Sequence, residues 1–314
     1  MDVGVSMTKA SAVVAAALER WMTPAPPGAV VAWWRLFLGL SIAGFSAQLW
    51  PYLDELFTTR GVVVVDTLAV GGLSSSTVIH LLWCVVIVCA LCIAGGVVVA
   101  PAAGLCWLSL MLAYKTNTLS RSPEMPLVHL SLLLLAICPL AAPRIPWRAL
   151  RSSTPPVGLP PVARVVAWAA FAVVYGTSGL TKFTYNDSSW LDGSALYHVL
   201  NHSTFRYVWY GDFFSEPSVA LQVGTHLSLI LEAGAPLFVW FYRGRCLVWV
   251  MSMTMHIIAL VLLNLLEVSI HMITFHILLV DERMIIDAQT WWRRLRRRAR
   301  GARADVAAAP DRIA

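Results

Sequence analysis

The chain has 314 residues, of which 58% are hydrophobic and only 13% are charged. A soluble domain has about 25% charged residues, so this composition indicates a polytopic membrane protein. The net charge is +6, but much of the excess lies in one C-terminal run, "WWRRLRRRARGAR", directly after the last apolar segment. Such a cluster normally holds a helix end on the cytoplasmic side of a membrane. The composition therefore predicts the lipid bilayer as a partner and argues against nucleic acid.

Residues 1–29 do not have the pattern of a signal peptide. Asp2 stands at the start, and the apolar centre is short and is interrupted by Glu19 and Arg20. The prolines that begin at Pro24 would end any helix formed before them. We interpret this segment as a short amphipathic cytoplasmic element.

Apolar stretches close to 20 residues long mark membrane-spanning helices. We predict eight spans, in chain order at about 30–50, 78–99, 101–115, 125–142, 162–181, 219–241, 246–264 and 266–280. The third and the eighth are short, and one of them can be re-entrant. The predicted fold class is all-α, a polytopic transmembrane helical bundle formed by a single domain over residues 30–282.

Positive charges in the loops indicate the orientation, because cytoplasmic loops are enriched in lysine and arginine. Arginines recur in 143–161, in 242–245 and in the basic tail 283–314, which would then all be cytoplasmic. The opposite loops hold single positive residues: Arg60, Lys115, Arg121, Lys182 and Arg206. Both termini are therefore predicted to be inside. Lys182 and the loop after it are predicted on the outer face.

Two charges stand out because they lie in or beside apolar spans. Lys182 ends the fifth span after "GTSGL", whose small residues allow close helix packing. Glu232 lies in the middle of the sixth span, where a carboxylate needs a partner or a proton. Taken alone, Lys182 is explained by snorkelling to the interface. Together the two charges predict a polar bundle interior.

The last three predicted spans carry further ionisable residues: His226, His256, Glu267, His271 and His276. Each histidine taken alone is explained by an interhelical hydrogen bond. Glu267 and His271 are four residues apart and therefore share a helix face, whereas His226 and Glu232 are six apart and do not. The set leaves catalytic, conducting and structural roles open.

Metal-ligand spacing gives no firm prediction. No span has a His-x3-His pair with a further carboxylate at ligand spacing, so we predict no metal site. His198 and His202 are four residues apart in the outer loop. They would hold zinc only with further ligands such as Asp192 or Asp212.

The order of several short motifs resembles a known family. "SGLTKF" is followed by "WLDGSALYHVL", by "LEAGAPL" within a span, by "RGR" at a turn, and by "MHIIAL" and "HMITFHILLVD". This series is similar to the HTTM (horizontally transferred transmembrane) domain family, which is related to vitamin K-dependent gamma-carboxylase. Lipase maturation factors and the membrane proteins that mature sporulation-delaying toxins show a similar progression. The resemblance covers about 165–282, and the first four spans resemble the family only by hydropathy.

The resemblance implies a role for the lysine, because the matching lysine of the carboxylase deprotonates vitamin K hydroquinone. We therefore predict Lys182 as a base, Glu232 as its charge partner or proton acceptor, and His256 as a residue lining the interior. An amine accepts a proton only in its neutral form, which desolvation favours. The predicted pocket mouth, where a quinol cofactor would bind, is formed by Trp190, Asp192 and Gly193.

The chain also departs from the carboxylase. After the last predicted span the sequence continues with the basic tail 283–314, where the carboxylase has a large lumenal region. The gap between Lys182 and Trp190 is longer, and Asn117 stands where the carboxylase has a loop histidine, with His129 as the nearest substitute. Carboxylation of protein glutamates is therefore not predicted. The favoured hypothesis is quinol-linked modification or maturation of a secreted peptide or protein, in a bacterial inner membrane. A non-enzymatic chaperone or assembly factor, and a transporter, remain alternatives.

Overall fold

The structure is a computed structural model that describes residues 28–58, 74–117, 124–138, 159–184, 188–205, 214, 216–280 and 282–307. All of the regular elements within these residues are helices, which confirms the prediction of an all-α fold. In chain order they are α1 Gly28–Leu49, α2 Leu53–Phe57, α3 Ser75–Gly95, α4 Val99–Thr116, α5 Met125–Ile137, α6 Pro161–Thr184, α7 Ser189–Asp192, α8 Ala195–Asn201, α9 Val219–Phe238, α10 Tyr242–Leu262, α11 Leu266–Leu278 and α12 Glu282–Ala307. A 3₁₀ turn, Trp50–Tyr52, joins α1 to α2.

Four helical segments are long and apolar enough to cross a membrane: Val30–Phe57, α3, α6 and α10. The helices α5 and α11 are apolar but shorter. Each predicted span coincides with a helix, so hydropathy located the helices well. Eight crossings and the inward orientation of both termini stay predictions.

Local sequence explains where several helices begin and end. The Ser74 hydroxyl accepts a hydrogen bond from the Thr77 amide at 3.2 Å and caps the start of α3. At the other end Gly96 has a φ of 71°, the left-handed conformation that suits glycine after a helix. Ser218 caps α9 in the same way, through the Leu221 amide at 3.3 Å.

Small residues let α6 and α9 approach each other closely. A Cβ atom at Gly179 would lie 2.3 Å from the Ala233 backbone nitrogen, and one at Gly176 would lie 2.5 Å from the Pro236 side chain. Such contacts are typical of helix pairs in membranes, where small residues let backbones meet. This packing fixes the last turn of α6 beside the middle of α9.

The surface of the bundle supports the membrane class. Many large apolar side chains are exposed on the helices, including Val88 on α3, Val173 on α6, and Ile230 and Leu237 on α9. An apolar surface of this extent is unusual for a soluble monomer and is what acyl chains cover in a bilayer. The structure is thus consistent with a membrane protein.

Parts of the sequence-based interpretation lie outside the described residues. They are the segment 1–27, Asp212, and the loop arginines Arg60, Arg121, Arg144, Arg148, Arg151 and Arg206. The basic tail begins as the helix α12, whose Trp291 and Trp292 are exposed.

Candidate functional site

The centre of the site is an ion pair between α6 and α9. Lys182 Nζ lies 2.5 Å from Glu232 Oε1 and 2.6 Å from Oε2, so the ammonium donates to both carboxylate oxygens. Glu232 is 5% exposed as a residue, and the Lys182 side chain is 18% exposed. Two charges withdrawn from water to this extent persist only when they neutralise each other.

The backbone around Glu232 is shaped by its neighbours. Pro236 stands four residues later and lacks the N–H group that would bond to the Glu232 carbonyl. Gly179 brings α6 so close that its Cβ position lies 2.7 Å from the Glu232 carbonyl carbon. Gly179 and Pro236 thus bring Glu232 next to Lys182, which lies in the last turn of α6.

Trp190 on α7 contacts the same amine. Lys182 Nζ lies 3.9 Å from the centroid of the indole ring, which is cation–π geometry. The ammonium is therefore held by a carboxylate and by an aromatic face. Of the three residues predicted at the pocket mouth, Trp190 is the one that touches the predicted base.

Gly193 and Asp192 shape the turn that carries Trp190. Gly193 has a φ of +88°, and a Cβ atom there would lie 2.9 Å from the His226 ring. His226 Nε2 donates to the Leu191 carbonyl at 3.1 Å, which fastens the turn to α9. Asp192 is exposed, and its Oδ1 accepts from the Ser194 amide at 2.8 Å. Hydrogen bonds from the Ser194 hydroxyl and amide hold the pKa of Asp192 below its usual value.

A cavity of about 450 Å³ lies beside the ion pair, bounded by residues of α5, α6, α9, α10 and α11 and by Glu124, just before α5. Glu232, Tyr175 and His256 line it together with apolar side chains such as Met255. Small-molecule sites in proteins typically measure about 300–1,000 Å³ and combine apolar walls with a few polar groups. The cavity has the size and the lining of such a site.

A second set of hydrogen bonds runs from the cavity wall into the bundle. The Tyr175 hydroxyl lies 2.5 Å from His256 Nε2 and 3.4 Å from His276 Nε2. His276 Nδ1 donates to the Met272 carbonyl at 2.6 Å, because a carbonyl only accepts. His276 Nε2 also lies 2.7 Å from the Ser252 hydroxyl, which donates to the Val248 carbonyl at 2.6 Å. His256, predicted to line the interior, thus belongs to a connected polar network.

Sequence reasoning assigned no role to Tyr175 or Ser228. Ser228 donates to Glu232 Oε1 at 3.1 Å, one helical turn away. Tyr175 precedes Lys182 by seven residues, which is two turns and hence one face of α6. The sequence already shows that Ser228 is four residues before Glu232 and Tyr175 seven residues before Lys182. These helical spacings were the signal that could have identified both residues.

Glu267 and His271 do not join Lys182. They lie with Glu124 in a separate cluster, in which one ligand atom from each side chain lies within 4.8 Å of the others. His198 and His202, the pair considered for zinc, belong to no group of three ligand-bearing side chains in the described part of the chain. His202 Nδ1 instead accepts from the Thr204 amide at 3.3 Å.

Comparison with known proteins finds no match to this chain among family models, curated proteins or solved structures. Over the described residues the fold is helical and is consistent with a membrane protein, and a buried ion pair lies beside a largely apolar cavity that has a few polar groups. Chemically, this arrangement can bind a small, partly apolar molecule and exchange a proton with it.

Proposed function

We propose that this chain is an HTTM-type integral membrane protein whose cavity binds a lipid-soluble quinol and removes a proton from it. The reaction would serve the modification or maturation of a secreted peptide or protein. The observation that carries the proposal is the Lys182 amine, which lies 2.5 and 2.6 Å from the oxygens of Glu232 beside a cavity of about 450 Å³. The order of motifs from Lys182 to His276 adds support through its resemblance to the carboxylase-related family.

The cavity walls suit a quinol. Val174, Met255 and Met272 offer apolar contacts to a flat ring, and Tyr175 and His256 offer hydrogen bonds. A bound quinol would supply an acidic hydroxyl group and two electrons for a later redox step. The ring would enter from the bilayer, so its apolar tail would not need to cross water.

The residues of the ion pair account for the proton. An amine becomes a base only after it has lost its ammonium proton. We propose that Lys182 first passes a proton to Glu232, which breaks an N–H bond and forms a carboxyl O–H bond. The free amine then accepts the hydroxyl proton of the quinol. The pair gains one proton and one positive charge, which balances the negative charge left on the substrate oxygen.

Neighbouring groups support this transfer. Ser228 donates to Glu232 Oε1 and keeps that carboxyl group oriented through the proton shift. Trp190 covers the amine with its ring and limits the access of water. Electrostatic interactions are stronger where water is excluded. The positive charge that the ion pair gains would therefore stabilise the negative charge on a substrate in the cavity.

A second candidate is a non-enzymatic membrane chaperone or assembly factor. The observation that favours it is that the ion pair joins α6 to α9 at a very close approach, where Gly179 meets Ala233. Lys182 and Glu232 would then stabilise one helix arrangement and would carry out no chemistry.

A double-variant experiment separates the two. The protein and the variants Lys182→Met, Glu232→Met and Lys182→Met/Glu232→Met are placed in lipid nanodiscs with a prenylated naphthohydroquinone. Consumption of the hydroquinone under air is measured beside the melting temperature. Lys115→Met, a change at an exposed lysine, is the matched control.

For an enzyme, the double variant recovers the melting temperature but remains about 100-fold or more below wild type in hydroquinone consumption, the usual size of a general-base effect. The catalytic proposal fails if wild-type protein consumes hydroquinone no faster than empty nanodiscs. A structural pair would instead give a double variant with a restored melting temperature, and none of the four proteins would consume hydroquinone faster than empty nanodiscs.

A further inference from the structure

The second polar cluster is built from two distant segments. Glu124 immediately precedes α5, and Glu267 and His271 lie one turn apart on α11. One ligand atom from each side chain lies within 4.8 Å of the other two. Glu124 is 1% exposed and His271 is 4% exposed, whereas Glu267 is half-buried.

The imidazole of His271 is the unusual member of the cluster. Neither of its ring nitrogens makes a hydrogen bond within the described residues. Glu124 Oε1 is 3.5 Å from Nδ1, beyond the usual N–H···O range of about 2.7–3.2 Å. On its other side the ring packs against Phe45, with the centroids 5.2 Å apart. Buried polar groups normally have a partner, so this imidazole is placed to bind one that protein atoms do not supply.

Charge balance indicates what that partner is. Two carboxylates close together in an apolar bundle repel each other, so a cation between them is favoured. A divalent cation between Glu124 and Glu267 would neutralise both and would leave His271 as a neutral nitrogen ligand. The net charge of the cluster would then be zero, as a low-dielectric site requires.

The donor types narrow the choice of metal. Carboxylate oxygens alone suit magnesium and calcium, whereas an imidazole ligand shifts the preference to first-row transition metals and zinc. Three protein ligands with room for further groups are typical of zinc sites that keep open positions. Because Glu124 also lines the cavity beside the ion pair, the open positions would face the space that holds a substrate.

We propose that Glu124, Glu267 and His271 bind one divalent transition-metal ion at the wall of the cavity. This proposal does not depend on quinol chemistry, since it concerns other residues and a different ligand. Glu124 is far from the other two residues in sequence, so no short motif indicates the site.

The test uses the full chain in detergent and zinc as the probe. The protein is stripped with a chelator, titrated with Zn²⁺ in competition with a chelating dye, desalted and analysed for bound metal. We expect one zinc ion per chain for wild type. Glu267→Gln and His271→Ala should each weaken the affinity for zinc by about tenfold or more. Loss of a residue that only hydrogen-bonds to a metal ligand already has an effect of this size.

Two controls keep the outcome clear. His198→Ala, a change at an exposed histidine, should bind zinc as wild type does. Lys182→Met should also retain one zinc ion, so that failure of the metal proposal and failure of the quinol proposal are distinguishable. If His271→Ala does not fold, the isosteric Glu267→Gln variant decides the question.

A second readout is thermal. Bound zinc stabilises the folded state by mass action, so it should raise the melting temperature of wild type and of His198→Ala, but not that of Glu267→Gln. The proposal is overturned if wild type binds no zinc above buffer. It is also overturned if Glu267→Gln and His198→Ala bind zinc equally, which would mean an adventitious ion only.

Discussion

The Lys182 ammonium on α6 touches both carboxylate oxygens of Glu232 on α9, at 2.5 and 2.6 Å. Removing either partner leaves the other charge without compensation inside the bundle. Losing one member of a fully buried pair costs about 3–5 kcal/mol, and partial exposure of the lysine reduces that loss here. We expect Lys182→Met to lower the free energy of unfolding by about 2 kcal/mol.

The same relationship predicts recovery in the double variant. Lys182→Met/Glu232→Met removes both charges, so its stability should return to within about 1 kcal/mol of wild type. Unfolding in mixed micelles gives the stability of wild type, of the two single variants and of the double variant. The coupling energy from this double-mutant cycle is the contribution of the interaction between Lys182 and Glu232. Strictly additive losses would show that the two side chains do not stabilise each other.

Tyr175 provides the second prediction. Tyr175→Phe removes the hydroxyl that lies 2.5 Å from His256 Nε2 and leaves that buried nitrogen without this partner. We expect a loss of about 1–3 kcal/mol in unfolding free energy, the cost of an unmade buried hydrogen bond.

Tyr242→Phe is the matched control for this change. The Tyr242 hydroxyl donates to Asp287 Oδ2 at 2.6 Å in an exposed position, where water can replace the lost bond. Its loss should stay within about 0.5 kcal/mol. Equal losses in the two variants would contradict the interpretation of the Tyr175 network as buried and fully connected.

Hydropathy located the helices of the predicted spans because each of them coincides with a long run of apolar residues. The predicted span 162–181 corresponds to Pro161–Thr184, and 266–280 corresponds to Leu266–Leu278. Hydropathy was less accurate for helix ends that depend on a single residue. The helix α3 ends at Gly95 because Gly96 adopts a left-handed conformation, whereas the predicted span continues to residue 99.

The candidate site was predictable only in part. Lys182 and Glu232 were identifiable because each is a charge in apolar surroundings that needs compensation. Trp190 contacts the amine because the chain turns at Gly193, which has a positive φ. A hydropathy pattern cannot predict such a contact. No sequence pattern marks Glu124, because its approach to His271 depends on how α5 and α11 pack.

The close contact of α6 with α9 gives the third prediction. In Gly179→Ala the new Cβ atom would lie 2.3 Å from the Ala233 backbone nitrogen, which cannot move without shifting the helix. We expect a loss of about 1–3 kcal/mol in unfolding free energy, as for other overpacked cores. The helices would also separate, so Lys182 would lose contact with Glu232.

Gly44→Ala is the control for helix propensity. A Cβ atom at Gly44 meets nothing within 4 Å, so alanine should be neutral or should stabilise α1 by up to about 1 kcal/mol. Unfolding of both variants in the same micelles tests the difference. A Gly179→Ala variant as stable as Gly44→Ala would mean that α6 and α9 do not pack as closely as described.

The turn that carries Trp190 should loosen in acid. Hydrogen bonds from the Ser194 hydroxyl and amide lower the pKa of Asp192, so the folded turn favours the carboxylate. The stabilisation is therefore present above the ordinary carboxyl pKa of about 4 and is lost as the pH falls through the lower folded value. Hydrogen exchange of the Ser194 amide should accelerate across that acidic window, beyond the intrinsic change with pH. In Asp192→Asn the side chain does not titrate, so the extra acceleration should vanish; its persistence would assign the effect to another group.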